Sequence, residues 1–436
     1  MNIRKLALDT LCKCESAAQY SNIALDSKIK KFNISGDDRA LFTVLVYGVI
    51  ENKLTLDHFI NALSSLPDEK IDALTRNILR LGIYQINFMR TADHAAVNET
   101  VSLAPARSRG FVNAILRNFI RKKDSIQFPD REVDPAGYLS AAYSFPKDTC
   151  RFFIDRFGIN ETEKFLSATN ESSSRPMTLR VNTIKNSSEE LLSALRSAGI
   201  EAERSKNLPN ALKLSNGCSF YELEKVSDGG FFVQDQASQL AVAALDARPG
   251  QRVIDMCACP GSKSFGAAVD MENRGEILSF DISKSKLPLI SSGAERLGIN
   301  IIKSELHDGR DLIVRLENSA DRIICDVPCS GFGVISKKPE IRYKNIADTS
   351  ALPGIQYDIL CTASKYLKSG GFLVYSTCTV LPEENEDNIR RFLLEHKDFK
   401  AVPFSVGELS APEGMLTLMP HIHGTDGFFI CKLTKI

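Results

Sequence analysis

Asp321-Arg322-Ile323-Ile324-Cys325-Asp326-Val327-Pro328-Cys329-Ser330-Gly331-Phe332-Gly333 is the stretch that decides the fold. An apolar run too short for a helix ends at an acid and breaks at a Pro-Cys turn. A second stretch repeats the arrangement: Gly371-Phe372-Leu373-Val374-Tyr375 leads into Ser376-Thr377-Cys378-Thr379, with Pro382-Glu383-Glu384-Asn385-Glu386 behind it. Each reads as a buried strand that delivers a cysteine to the loop at its end. If both strands lie in one parallel sheet, both thiols open onto the carboxyl-end crevice where such sheets bind ligands.

Working outward, strand-like runs recur at Arg252–Met256, Glu276–Phe280, Asn300–Lys303, Arg322–Cys325, Phe372–Tyr375 and Gly427–Leu433. Helical patterns such as Lys284–Leu297 and Leu352–Leu367 separate most of them. That alternation predicts right-handed crossovers and a doubly wound, Rossmann-like α/β domain over residues 235–436. The last run has no helix after it and suits an antiparallel strand. The first strand ends in Asp255-Met256-Cys257-Ala258-Cys259-Pro260-Gly261-Ser262-Lys263-Ser264, a tight turn whose backbone amides can approach a bound group closely. Its spacing is neither that of a P-loop nor Gly-x-Gly-x-x-Gly. Asp281 closes the second strand, roughly 20 residues past the turn, where an acid accepts hydrogen bonds from ribose hydroxyls. Asp308 and Asp326 follow the third and fourth strands. Four strand-terminal acids on one edge point to a nucleoside-bearing cofactor, although an acid there can also simply cap a helix.

A thiol near such a cofactor could be a metal ligand, a redox partner, an acyl acceptor or a nucleophile toward a pyrimidine. Metal binding fits poorly, because Cys257 and Cys259 do not form a Cys-x2-Cys pair and the chain has only 6 histidines. No histidine lies near either turn in sequence, which disfavours a hydrolase triad. The pyrimidine option explains more. Carbon-5 of cytosine is a poor nucleophile, and thiolate addition at carbon-6 turns the ring into an enamine that attacks an electrophilic methyl. An acid at ring nitrogen-3 offsets the developing charge, and a second group removes the carbon-5 proton. Residue chemistry alone does not choose which of the two thiols attacks.

The remainder of the chain has a different texture. Residues 1–128 read as helix after helix, with Leu6, Leu8 and Leu11, then Leu41, Val44, Leu45 and Val49, at helical spacings. Near the end of this part Arg107, Arg109, Arg117, Arg121, Lys122 and Lys123 place six cations within 17 positions, either a phosphate-binding stripe or a solvated helix face. Residues 129–234 hold linker helices and a small α/β, RRM-like module. Residues 124–145 suit a linker, Met177–Asn182 alternates like a strand, and Ser187-Ser188-Glu189-Glu190 starts a helix. Arg175, Arg180, Arg204 and Lys206 in this module are candidate nucleic-acid contacts, with scattered surface charge as the commoner explanation. The 436 residues carry no net charge and 11 cysteines, an odd number with no signal-peptide pattern, so free thiols in a reduced cytoplasm are expected. No apolar run reaches the roughly 18 residues that a membrane span needs.

Two resemblances follow. Asp38-Arg39-Ala40-Leu41 through Val49, Ala96-Val97-Asn98-Glu99 and Gly110–Arg117 resemble the NusB fold, an all-α RNA-binding module. Cys257–Lys263, Asp326-Val327-Pro328-Cys329-Ser330-Gly331 and Ser376-Thr377-Cys378-Thr379 with Glu383-Glu384-Asn385-Glu386 resemble the signatures of RNA cytosine-5 methyltransferases. Val233–Ser238 is similar to the phrase that precedes their catalytic core. Together with the domain order, the chain resembles the RsmB (Sun/Fmu) family of 16S rRNA cytosine-C5 methyltransferases.

That resemblance implies S-adenosyl-L-methionine as cofactor and RNA, above all 16S rRNA, as partner, with neither membrane nor metal and a monomer sufficient. It assigns Cys378 as the nucleophile, Cys329 to release of the product and Asp326 to the cytosine and the cofactor's methionine end. Cys257, Ala258, Cys259, Pro260, Gly261, Ser262 and Lys263 would hold the cofactor, with Asp281 on the ribose and Asp308 near the adenine. Methylation of tRNA, or a non-catalytic RNA-binding or assembly role, are the competing expectations. The chain departs from the family pattern at Cys259 (usually alanine), at Ser262 (usually glycine) and at Lys337-Lys338-Pro339-Glu340-Ile341-Arg342, where arginines are usual; cationic character is kept and bidentate forks are partly lost.

Overall fold

Helix-favouring periodicity in the first third of the chain becomes helices in the computed structural model, which describes residues 2–17, 21–89, 91–171, 177–215 and 220–436. They are α1 (Ile3–Ala17), α2 (Ser21–Phe32), α3 (Gly36–Glu51), α4 (Lys53–Leu63), α5 (Ala73–Phe88), α6 (Asp93–Leu103), α7 (Ala106–Lys122), α8 (Pro135–Tyr143) and α9 (Lys147–Asn170). Asp72 caps α5 by accepting from the Thr75 amide. Phe42, Leu45, Leu56, Ile78, Leu79 and Leu116 are among the side chains fully buried where these helices meet. On α7, Val112, Ile115, Leu116 and Phe119 face inward, while Arg107, Arg109, Arg117, Arg121 and Lys122 are exposed.

The stretch read as linker contains α8 instead. Asp134 accepts from the Gly137 amide, and Pro135 supplies a preformed first turn. Gly158, at φ +74°, kinks α9 with open space around its Cα, so the break is a backbone choice rather than a packing one. Compactness divides the chain into one unit of Met1–Asn170 with Ile335–Ile346, and a second of Glu171–Val334 with Ala347–Ile436.

The second unit begins with β1 (Thr178–Val181), α10 (Ser188–Ser197), β2 (Ala202–Arg204), β3 (Ala211–Leu214), α11 (Phe220–Val226) and β4 (Phe231–Val233). Ser187 and Glu190 form a reciprocal capping box at the start of α10. The strands pair antiparallel in the order β2-β3-β1-β4, the ferredoxin-like arrangement. Arg180 on β1 is only 4% exposed and donates to Asp270, 2.5 Å away, so it is a structural ion pair rather than a nucleic-acid contact. Arg175 lies outside the described residues.

After α12 (Gln236–Leu245) come β5 (Arg252–Asp255), α13 (Ser262–Asp270), β6 (Glu276–Asp281), α14 (Leu287–Leu297), β7 (Ile302–Leu306), β8 (Ala320–Asp326), α15 (Leu352–Tyr366), β9 (Leu367–Thr377) and α16 (Glu386–Glu395). Short strands β10 (Phe399–Ala401), β11 (Phe404–Val406), β12 (Leu409–Ala411) and β13 (Met415–Leu418) precede the long β14 (Phe428–Lys435). The sheet order β10-β14-β9-β8-β5-β6-β7 reverses direction between β5 and β8, with β5 through β9 parallel and β14 antiparallel to β9. Val253, Ile277, Ile324 and Val374 pack on one face, and their neighbours Ile254, Leu278, Ile323 and Leu373 on the other. Burial on both faces explains the near-continuous apolar runs seen in the sequence. The third strand begins two residues later than its sequence reading, at Ile302.

Candidate active site

Asp255, Asp281 and Asp326 end three neighbouring parallel strands, on the sheet edge that flanks the reversal point. Asp255 is buried and accepts from the Ser264 hydroxyl at 2.7 Å; burial pushes its carboxyl up to about 7 against that hydrogen bond. The turn from Met256 to Gly261 folds tightly, with the Ala258 amide donating to Phe280 O at 2.7 Å and the Gly261 amide to Ala258 O at 2.6 Å. Gly261 adopts φ +111°, and a Cβ there would meet the Phe265 ring at 2.5 Å, so both conformation and space demand glycine. Ser262, where glycine would be expected, opens α13, and its carbonyl accepts from Gln234 Nε2 at 3.1 Å. Pro260 lies between Cys259 and the left-handed Gly261.

Asp281 accepts from the amides of Cys259 (3.1 Å) and Ser283 (2.8 Å), which fixes its carboxylate while leaving lone pairs for further donors. Burial, and then the neighbouring Asp281, push the Cys259 thiol up to about 12; Cys257, more deeply buried, is raised as well. Both thiols are therefore neutral. Asp308 lies just past β7 and is held by Arg310 at 2.6 Å, whose hydrogen bonds bring its carboxyl down to about 2. A left-handed glycine turn, a helix N-terminus and a fixed acid on the next strand form a cradle that fits a nucleoside with an anionic tail.

Lys263, at the end of the turn, directs its amine to the neighbouring strand. It is the second residue of α13, and its amine reaches Asp326 Oδ2 at 2.6 Å and lies 5.4 Å from the Phe428 ring centroid. Burial pulls its pKa down, but Asp326 outweighs that and the net movement is upward, so the amine stays charged. Asp326 Oδ1 accepts from the Ser376 hydroxyl at 2.7 Å. Acid, amine and hydroxyl form a fixed polar group at the end of β8 and β9.

The two cysteine turns meet here. Cys329 Sγ and Cys378 Sγ are 3.0 Å apart, and the Cys378 amide lies 3.3 Å from the Cys329 sulfur. Cys329 is raised well above the usual thiol range by that thiol–thiol hydrogen bond, then by burial and the negative charge of its surroundings. Gly333 lets the loops approach: its amide donates to Cys378 O at 3.0 Å, and a Cβ there would strike Gly427 O at 1.8 Å. Ser330 and Thr379 hydroxyls bond at 2.8 Å, Thr377 donates to Asn385 Oδ1, and Asn385 Nδ2 donates to Thr379 O at 3.1 Å. Ser376, Glu384, Asn385 and Gln356 were assigned no role from sequence. The first three lie within the second cysteine-turn motif, whereas no local pattern marks Gln356.

Among the described residues, no cluster of three or more His, Cys, Asp and Glu is placed to hold a metal ion. No described helix is long and apolar enough to cross a membrane. Comparison with known proteins gives three matching family models: NusB family over residues 1–121, a Methyltr_RsmF/B-like ferredoxin-like domain over 149–221, and 16S rRNA methyltransferase RsmB/F over 242–434. The "Probable ribosomal RNA small subunit methyltransferase B" of Bacillus subtilis (strain 168) is 37% identical over 452 residues, covering 100% of this chain and 99% of that one. A solved structure described as PH0851 has a TM-score of 0.81 at 27% identity, covering 100% of this chain and 99% of its own. NSun6 from Pyrococcus horikoshii with SFG has a TM-score of 0.60 at 26% identity, covering 68% of this chain and 99% of its own.

Proposed function

This chain belongs to the 16S rRNA methyltransferase RsmB/F family, and from that premise we propose that it methylates carbon-5 of a cytosine in 16S rRNA through a covalent adduct on Cys378. The family makes it an S-adenosylmethionine-dependent methyltransferase of small-subunit ribosomal RNA. The cofactor supplies an electrophilic methyl group on a sulfonium. The Cys257–Lys263 turn would hold it, with Asp281 on its ribose and Asp308 near its adenine.

The Cys378 thiolate adds to carbon-6 of the cytosine, and the electron pair moves to carbon-5. Asp326 would meet the cytosine, and the charged Lys263 paired with it would offset negative charge as it develops on the ring. Carbon-5 takes the methyl group. Removal of the carbon-5 proton then returns an electron pair to the ring, the carbon-6–sulfur bond breaks, and Cys378 leaves as thiolate. Cys329 serves that release step. The target base must leave its stack, since a duplex hides carbon-6. The exposed cationic face of α7 supports binding of the RNA backbone, and a cytoplasmic monomer suffices.

The observation that carries this reading is the pair of thiols in contact beside a lysine-paired acid. Bisulfite sequencing of ribosomal and transfer RNA from cells with and without the gene tests it. A single 16S cytosine that loses protection is the expected result. Loss confined to tRNA would reassign the substrate, and no loss anywhere would favour a binding or assembly role.

A further inference from the structure

Gln356 on α15 is fully buried, although a carboxamide is costly to bury unless its hydrogen bonds are made. Both of its N–H donors are used. One reaches Pro328 O at 2.9 Å and the other Glu384 Oε2 at 2.7 Å. Its oxygen accepts from Asn388 Nδ2 on α16 at 3.2 Å and faces the Tyr375 hydroxyl of β9 at 3.5 Å. Glu384, only 1% exposed, receives a second donor on the same oxygen, the Ser330 amide at 2.9 Å. The Pro328 carbonyl and the Ser330 amide are the backbone groups on either side of Cys329. Both end on the Gln356–Glu384 pair.

We propose that Gln356 is a positioning residue that sets where the Cys329 thiol sits, by tying the backbone on both sides of that cysteine to one buried amide–carboxylate pair. Its catalytic consequence rests on the reading of Cys329 as the release thiol. With Pro328 O and Ser330 N fixed, the Cα–Cβ direction of Cys329 is fixed too. The same pair is coupled to the nucleophile's loop, because the Tyr375 hydroxyl donates to Glu384 O at 2.6 Å and Asn385, the next residue, braces Thr377 and Thr379. Removing the amide leaves a buried carbonyl without its donor and a buried carboxylate with one donor fewer, a change that the loop relieves by moving. A shift of about 1 Å in a reacting group costs on the order of a hundredfold in rate.

Gln356→Met in the full-length enzyme removes both donors and keeps the side chain's length. Cofactor affinity by calorimetry should stay within about twofold of wild type, while turnover falls at least ~tenfold with the RNA KM little changed. Enzyme trapped as covalent RNA adduct should rise, as in Cys329→Ala, which a purely structural role would not produce. In a crystal structure of the variant, the Cys329 sulfur should be displaced by ~1 Å or more, on the scale that matters for reactivity. Wild-type turnover and adduct level, or an unmoved Cys329 sulfur, overturns the inference. If Cys329→Ala itself traps no adduct, the release reading fails, and the sulfur displacement alone decides the positioning role. Should Gln356→Met not fold, Asn388→Ala loosens the same amide from its other side. It should show the same displacement and adduct rise at smaller size, and their absence overturns the inference equally.

Discussion

The sulfurs of Cys329 and Cys378 touch at 3.0 Å across 49 residues of sequence, at the ends of two parallel strands that are neighbours in the sheet. Their surroundings differ. Cys329 is tied through Pro328 and Ser330 to Gln356 and Glu384, while Cys378 follows Ser376, whose hydroxyl serves Asp326. Cys378→Ala is expected to abolish methyl transfer and to form no covalent RNA complex. Cys329→Ala is expected to retain adduct formation and accumulate a species of reduced mobility in denaturing gels. Methyl transfer that persists in Cys378→Ala would reverse the two assignments.

Lys263 and Asp326 form a mostly buried ion pair, with side chains 10% and 27% exposed. Removing one partner leaves a charge without its counterpart in a poorly solvated place, at a cost of about 3 kcal/mol. Lys263→Met should therefore lower the thermal midpoint as well as turnover. The double variant Lys263→Met/Asp326→Asn should recover most of the midpoint and none of the turnover, because it removes the stranded charge but also the acid. Calorimetry alongside a methyl-transfer assay separates the two effects; a double variant as unstable as the single one would show that the pair's charge is not what matters.

Which parts were legible in the sequence follows from the range of the interactions. Asp255, Asp281 and Asp326 announce themselves because each ends an apolar run, and the cysteine turns because proline, glycine or paired small residues break those runs within a few positions. Gln356 is 28 residues from both Pro328 and Glu384, on a helix where a lone polar residue looks like any solvated one. Lys263 reads as part of the cofactor turn, yet its amine is committed to an acid 63 residues away. Arg180 reads as a surface cation for want of Asp270, 90 residues on. Local pattern reveals where strands stop and turns begin; it does not reveal which buried polar groups find each other across the sheet.

The Asp255 carboxyl, raised to about 7 by burial, gives stability a defined pH dependence. An unfolded aspartate titrates near ~3.9, so between about pH 4 and 7 the folded protein holds a proton that the unfolded chain has lost. This contribution is fully present below pH ~4 and is lost as pH rises through about 7. Asp255→Asn keeps an acceptor for the Ser264 hydroxyl and cannot titrate. The fall in thermal midpoint between pH 5 and pH 8 should be smaller in the variant by roughly 5 °C. Identical pH profiles for the two proteins would show that Asp255 is already ionised across this range.

Arg342 lies on the stretch from 335 to 346 that belongs with the helical unit, and it is fully buried there. Its Nη1 donates to Glu51 O at 2.5 Å and to Asn170 Oδ1 at 3.0 Å, and its guanidinium carbon is 4.9 Å from the Phe145 ring centroid. Next to it, the Tyr343 hydroxyl donates to Ile50 O at 2.5 Å and meets Ser144 Oγ at 3.0 Å. Burial makes Arg342 a strut of this unit. Its Nη1 alone satisfies acceptors contributed by α3 and α9, and an ammonium in its place has a larger hydration shell to shed. Arg342→Met strands those acceptors and should destabilise the helical unit by about 3 kcal/mol, with Arg342→Lys between it and wild type. Urea midpoints followed by helical circular dichroism should fall in the order wild type, Lys, Met. Equal midpoints would show that the acceptors find other donors when the guanidinium is gone.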